Sequence, residues 1–170
     1  MSRTRNLALL MFVLAGLRGS ARDHEIDPRS YYRLTNSFLG PGRSLDTYSD
    51  GENALFMGQT GNYSGQLWKL ALLSDGTYRL TNSYLGTSRA LDTYSGTDNR
   101  PFMGKTDQDY SGQHWKLTAL ADGTYRLTNA YLGTSRALDT YSGTDNRPFM
   151  GNTDQDYSGQ HWTLARVDSN

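Results

Sequence analysis

The sequence predicts an all-β domain built from three copies of one unit, and three observations carry that prediction. The pentapeptide Ser-Gly-Gln-x-Trp occurs as Ser64-Gly65-Gln66-Leu67-Trp68, Ser111-Gly112-Gln113-His114-Trp115 and Ser158-Gly159-Gln160-His161-Trp162, spaced 47 residues apart. Within a unit, apolar and polar residues alternate with the period of a strand: Tyr78, Leu80 and Asn82 against Arg79 and Thr81, then Trp115, Leu117 and Ala119 against His114, Lys116 and Thr118. No helical period competes with that alternation. Asp75-Gly76 and Asp122-Gly123 lie between such runs, where a glycine supplies the positive φ that a hairpin turn needs.

The three units are residues 32–76, 77–123 and 124–170. Between Thr77 and Leu117 the second unit differs from the third at three of 41 positions: Ser83 becomes Ala130, Lys105 becomes Asn152 and Lys116 becomes Thr163. The first unit is more diverged and one residue shorter, with Gly61-Asn62 where Asp107-Gln108-Asp109 stands later. Each unit holds about four short strands, so about twelve are expected in all. Three propeller blades would leave too wide a central angle, since propellers use roughly four to eight, so a threefold closed barrel is expected instead.

Two segments precede the units. Arg3 and Arg5 lead into the apolar run Leu7 to Leu17, followed by Gly19-Ser20-Ala21, which is the pattern of a secretory signal peptide over residues 1–21. Eleven apolar residues are too few to cross a hydrocarbon layer of about 30 Å, so membrane insertion is not expected. Residues 22–30 are polar, contain Pro28 and read as a linker, with the domain running over 31–170. A secreted, extracytoplasmic protein is expected.

The chain has 17 basic and 17 acidic residues, for a formal charge of zero. Removal of residues 1–21 takes away Arg3, Arg5 and Arg18 and leaves a mildly acidic domain. No run of five like charges exists, so nucleic acid is not an expected partner. Cysteine is absent, which excludes disulfides, thiolate metal sites and thiol nucleophiles.

Tyr-Arg-Leu-Thr-Asn at the head of each unit, Leu-Asp in its middle (Leu45-Asp46, Leu91-Asp92, Leu138-Asp139) and Gln-x-Trp at its end resemble the repeats of ricin B-type β-trefoil lectins. The resemblance spans all three units. It implies a β-trefoil and a shallow sugar site in every unit, up to three equivalent sites, with carbohydrate or a glycoconjugate as partner. It implies that Asp46, Asp92 and Asp139 accept from sugar hydroxyls, that Gln66, Gln113 and Gln160 orient those carboxylates, and that Trp68, Trp115 and Trp162 are core anchors.

Two departures accompany the resemblance. Gly65, Gly112 and Gly159 stand where the family usually has asparagine, and the windows Phe56–Gln59, Phe102–Lys105 and Phe149–Asn152 place methionine, glycine or polar residues where its stacking aromatic would fall. Tyr48, Tyr94 and Tyr141, two residues after each aspartate and on the same strand face, are the expected replacement platforms, with Tyr63, Tyr110 and Tyr157 as second candidates. Arg43, Arg89 and Arg136 are either sugar donors or surface charges paired nearby. The carboxylates of Thr106–Tyr110 and Thr153–Tyr157 lack the glycine and distal glutamate of a calcium loop, so no metal is expected.

His114 and His161, opposite the tryptophans, read as exposed. No nucleophile, base and orienting group share one locus, so no enzyme, catalytic residue or cofactor is expected. The reading is a secreted, monomeric, non-catalytic carbohydrate-binding module. Its rival is a protein-binding trefoil, an inhibitor or interaction module, acting through the diverged first-unit loops, Ser49–Leu55 and Gln59–Tyr63.

Overall fold

Among the described residues, twelve short strands follow one another in groups of four, one group per unit. A computed structural model describes residues 26–47, 54–93, 100–140 and 147–168. The first unit contains β1 (Tyr31–Asn36), β2 (Arg43–Thr47), β3 (Leu55–Gln59) and β4 (Trp68–Leu72). The second contains β5 (Tyr78–Asn82), β6 (Arg89–Asp92), β7 (Phe102–Lys105) and β8 (Trp115–Ala119). The third contains β9 (Tyr125–Asn129), β10 (Arg136–Asp139), β11 (Phe149–Asn152) and β12 (Trp162–Val167).

The first and last strands of every unit form a closed six-stranded barrel in the order β1-β12-β9-β8-β5-β4, and the middle pairs β2–β3, β6–β7 and β10–β11 form three separate antiparallel hairpins. This is the threefold closed barrel that the repeat predicts and the β-trefoil that the resemblance implies. Closure leaves the barrel without a free edge.

Each tryptophan opens the last strand of its unit and faces two partners: Trp115 lies opposite Tyr78 of its own unit and Asn129 of the next. Trp162 repeats this across the closure, opposite Tyr125 and Asn36. All three rings are fully buried among leucines and methionines, including Leu80, Leu91 and Met103. Burial of a ring this large dominates the core energetics, and each indole N–H still finds an acceptor: Trp68, Trp115 and Trp162 donate to the carbonyls of Leu45, Leu91 and Leu138 at 2.9, 2.8 and 2.8 Å.

The Ser-Gly-Gln of each motif forms a single 3-10 turn, at Ser64–Gln66, Ser111–Gln113 and Ser158–Gln160. The turn lets two residues so close in sequence point in different directions, the tryptophan into the barrel and the glutamine under the neighbouring hairpin.

Gly76 and Gly123 do carry positive φ, 82° and 83°, in the connections β4–β5 and β8–β9. A second turn follows the first strand of each unit, where Asn36, Asn82 and Asn129 accept from the amides of Leu39, Leu85 and Leu132 at 2.9, 2.9 and 2.8 Å. That turn buries its leucine side and presents Phe38, Tyr84 or Tyr131 to solvent.

Candidate functional site: a carboxylate cleft in each unit

Leu-Asp lies at the end of the first strand of the middle hairpin in the second and third units and one residue before it in the first, so the leucine turns into the core and the aspartate sits beneath the outer surface. In β6–β7, Asp92 lies directly opposite Phe102; Asp46 faces Phe56 and Asp139 faces Phe149 in the other units. Directly opposed residues share a sheet face, so each carboxylate has a phenyl ring beside it. The aspartates are buried, with only 6 to 7% of their surface exposed.

Burial of a carboxylate requires partners, and the motif provides them. Asp92 Oδ1 accepts from the Thr93 amide at 2.7 Å and Oδ2 from Gln113 Nε2 at 2.9 Å. Gln66 and Gln160 donate to Asp46 and Asp139, also at 2.9 Å. The glutamine's other N–H is anchored on the backbone, at Lys105 O in the second unit and Asn152 O in the third, both at 2.7 Å. Gln-x-Trp therefore clasps Leu-Asp from two sides: indole to the leucine carbonyl, amide to the aspartate. Burial, only partly offset by these hydrogen bonds, pushes the Asp92 and Asp139 carboxyls above the usual carboxylate range.

The glycine before each glutamine has a physical cause. A Cβ at Gly112 would run into the Thr93 carbonyl and the Asp92 carboxylate, and one at Gly159 would meet Thr140 and Asp139 in the same way. A Cβ at Gly104 or Gly151, from the opposite strand, would also collide with the aspartate. The backbone thus closes on the carboxylate from both sides, and an asparagine in place of Gly112 has no room.

Above the aspartates of the second and third units lie open clefts of about 400 and 380 Å³. In the second unit the floor is Asp92, Gly104 and Gly112, and the aromatic walls are Phe102 and Tyr110. Tyr131 closes the far side, although it belongs to the next unit. It is held there because the amide of Ala130 donates to His114 O at 2.9 Å, docking the third unit's first turn against the second unit's motif. The same bond runs from Ser37 to His161 O, which brings Phe38 of the first unit to the third unit's cleft.

The sequence-derived candidates divide accordingly. The aspartates and glutamines converge in each unit. Tyr110 and Tyr157, second candidates in the sequence, line the clefts, while Tyr48, Tyr94 and Tyr141 lie outside the described residues. The windows Phe102–Lys105 and Phe149–Asn152, which read as offering methionine, glycine or polar residues, also place Phe102 and Phe149 directly across the hairpin from Asp92 and Asp139. Tyr131 and Phe38 carry no sequence signal beyond an aromatic recurring in a turn. Arg43, Arg89 and Arg136 are bound to their own hairpins, donating to the carbonyls of Met57, Met103 and Met150 at 3.3, 3.1 and 3.2 Å.

The histidines differ from expectation. His114 is mostly covered, with its Nδ1 2.7 Å from Asp75 Oδ2 and its Nε2 2.7 Å from Asp109 Oδ1. His161 stands likewise between Asp122 and Asp156. Asp109 and Asp156 also accept from Arg79 and Arg126 at 2.9 Å. The first unit has neither end of this clamp: Leu67 replaces the histidine, and Arg33 donates to the Gly61 carbonyl at 2.9 Å.

This geometry, a trefoil with a glutamine-held carboxylate under an aromatic cleft, defines a lectin-like trefoil. The profile of the family described as ricin-type beta-trefoil lectin domain-like matches residues 64–150, more than half of the chain, and the chain belongs to that family. No curated protein matches the sequence. Among solved structures, the chain is similar to a GlcNAcα1-4Gal releasing endo-β-galactosidase from Clostridium perfringens, with a TM-score of 0.69, 20% identity and 82% of this chain aligned to 33% of that one.

It is also similar to the Polyporus squamosus lectin bound to Neu5Acα2-6Galβ1-4GlcNAc, with a TM-score of 0.69, 14% identity, and 82% and 50% of the two chains covered. A third is ThreeFoil, a designed threefold-symmetric protein, with a TM-score of 0.65, 23% identity, and 81% and 99% covered. At these identities the likeness establishes the fold. The chain spans a third of the length of the endo-β-galactosidase.

Proposed function

We propose that the chain is a secreted, non-catalytic carbohydrate-binding module whose sugar sites are centred on Asp46, Asp92 and Asp139. The observation that carries this reading is the recurrence of one arrangement, a buried carboxylate held by Gln-x-Trp and, in the second and third units, lining an aromatic-walled cleft. A pyranose offers adjacent hydroxyls to an acceptor and an apolar C–H face to a ring. Asp92 keeps lone pairs beyond those used by Thr93 and Gln113, and Phe102 and Tyr110 offer ring faces. Family membership supports the same reading, as does the sugar-bound lectin among the structural neighbours.

A shallow site of this kind binds at about millimolar strength, about −4 kcal/mol, and gains from several sites engaging one clustered glycan. Export rests on Leu7 to Leu17 with Gly19-Ser20-Ala21, and N-terminal sequencing of protein recovered from culture medium should begin near Arg22.

The test is a glycan array probed with residues 22–170. Binding is expected, and Tyr110→Ala with Tyr157→Ala should abolish most of it while the urea midpoint stays in place, because both rings are surface groups. An array without a bound glycan, together with a secreted protein captured by the same chain and released by changes in Gln59–Tyr63, would overturn the reading in favour of a protein-binding trefoil.

A further inference from the structure

The second and third units provide two clefts that differ in very little. Nine residues line each, and they correspond one to one. Seven pairs are identical, from Asp92 and Asp139 on the floor to Tyr110 and Tyr157 on the wall. The two that differ are both at the rim. Lys105 in the second cleft is Asn152 in the third, and Tyr131 in the second is Phe38 in the third.

Both differences have the same sense. Lys105 brings a full positive charge and three donors, where Asn152 brings a neutral amide; Tyr131 brings a hydroxyl, where Phe38 has none. Among the described lining residues the only other charges are the matched Asp92 and Asp139 beneath, and Asp107 and Asp154 stand near the hydroxyls of Tyr110 and Tyr157. Among the described lining residues the second cleft therefore carries one more positive charge than the third at its rim. Its Lys105 is exposed, and its backbone is fixed because the Lys105 carbonyl anchors Gln113.

Resting on the carbohydrate-binding reading, we propose that the two clefts select different glycans: the second takes an acidic sugar, carrying a carboxylate or sulfate that faces Lys105 and Tyr131, and the third takes a neutral one. The hydroxyl-binding floor is common to both. The acid group points to the rim, away from Asp92, where Lys105 meets it. The chain then bridges two kinds of residue on one mixed polysaccharide or glycoprotein, which three equivalent sites would not do.

The experiment uses an array in which each neutral glycan is printed beside its uronate, sialylated and sulfated counterparts. The best-bound neutral glycan and its acidic counterpart are then titrated into isotope-labelled protein, following the amides of Gly112 and Gly159 as reporters of the two clefts. At Gly112 the acidic member should bind about two- to five-fold tighter than the neutral one, the range of an exposed ion pair, and the margin should shrink with added salt. Gly159 should show no such margin. Lys105→Asn should erase the preference at Gly112, and Asn152→Lys should create it at Gly159.

Equal preference at both amides, or a preference that the exchange of Lys105 and Asn152 does not move, overturns the inference and leaves the carbohydrate-binding reading standing. An array on which no glycan binds removes both.

Discussion

Gln113 Nε2 donates to Asp92 Oδ2 at 2.9 Å, with both side chains buried. The same bond recurs in the other two units, so the glutamine of the repeat motif is a carboxylate holder as much as the tryptophan is a core anchor. Removing one partner leaves the other buried and unsatisfied, at a cost of about 1 to 3 kcal/mol. Gln113→Ala should lower the urea midpoint accordingly with an unchanged m-value. A loss no larger than that of an exposed substitution such as Lys116→Ala would mean that Asp92 does not depend on the glutamine.

Trp115 is held by packing and by one bond to Leu91 O. Trp115→Ala should cost about 3 to 5 kcal/mol. Trp115→Phe keeps most of the apolar area and leaves the Leu91 carbonyl unpaired, so it should cost less than the alanine change. Two-state urea titrations that rank the two variants the other way would contradict this account of the core.

Gly112 and Gly42 form a matched pair for testing the close approach over Asp92. A methyl group at Gly112 collides with Thr93 O and Asp92, whereas nothing lies within 4 Å of one at Gly42. Gly112→Ala should destabilise by about 1 to 3 kcal/mol, the range of overpacking. Gly42→Ala should be neutral or stabilise by up to about 1 kcal/mol through the unfolded chain. Thermal melts that show the two changes equal would mean that the backbone sits farther from the carboxylate.

The histidine clamps predict a pH dependence. Hydrogen bonds to Asp75 and then Asp109 raise His114 above the ordinary histidine value; at His161, burial pulls the other way and is outweighed by Asp122 and Asp156. The charged partners facing His114 are Asp75 on the β4–β5 connection and Asp109 on its own loop, with Arg79 behind Asp109. A doubly protonated imidazole donates to both carboxylates, and a neutral one to only one.

Because the folded value lies above the unfolded one, this stabilisation is fully present below about pH 6.5 and is lost as pH rises through the raised value. The double variant His114→Leu with His161→Leu, which copies Leu67 of the first unit, should therefore lose the decline in melting temperature that the parent shows between about pH 6 and 8. Parallel profiles for the two proteins would show that the clamps carry no charge-dependent stability.

The sequence by itself determined which residues are equivalent. The 47-residue spacing, the Asp-Gly turns and the strand alternation were legible because each is written in neighbouring residues, and with the Leu-Asp and Gln-x-Trp motifs they led to the trefoil. Alternation also placed Trp115 and His114 on opposite faces. It said nothing of what His114 would meet, since Asp75 lies 39 residues away in another unit's turn.

Periodicity states what recurs, and only tertiary structure decides which copies touch. Closure of β12 onto β1 sets Asn36 opposite Trp162 and brings Phe38 to the third cleft, while the next unit lends Tyr131 to the second. The cross-strand register that puts Phe102 beside Asp92, and the backbone approach that forbids a side chain at Gly112, are likewise set by packing across the hairpin. Two units of nearly one sequence thus acquire clefts that differ in more than their own residues, because the wall of each is completed by its neighbour.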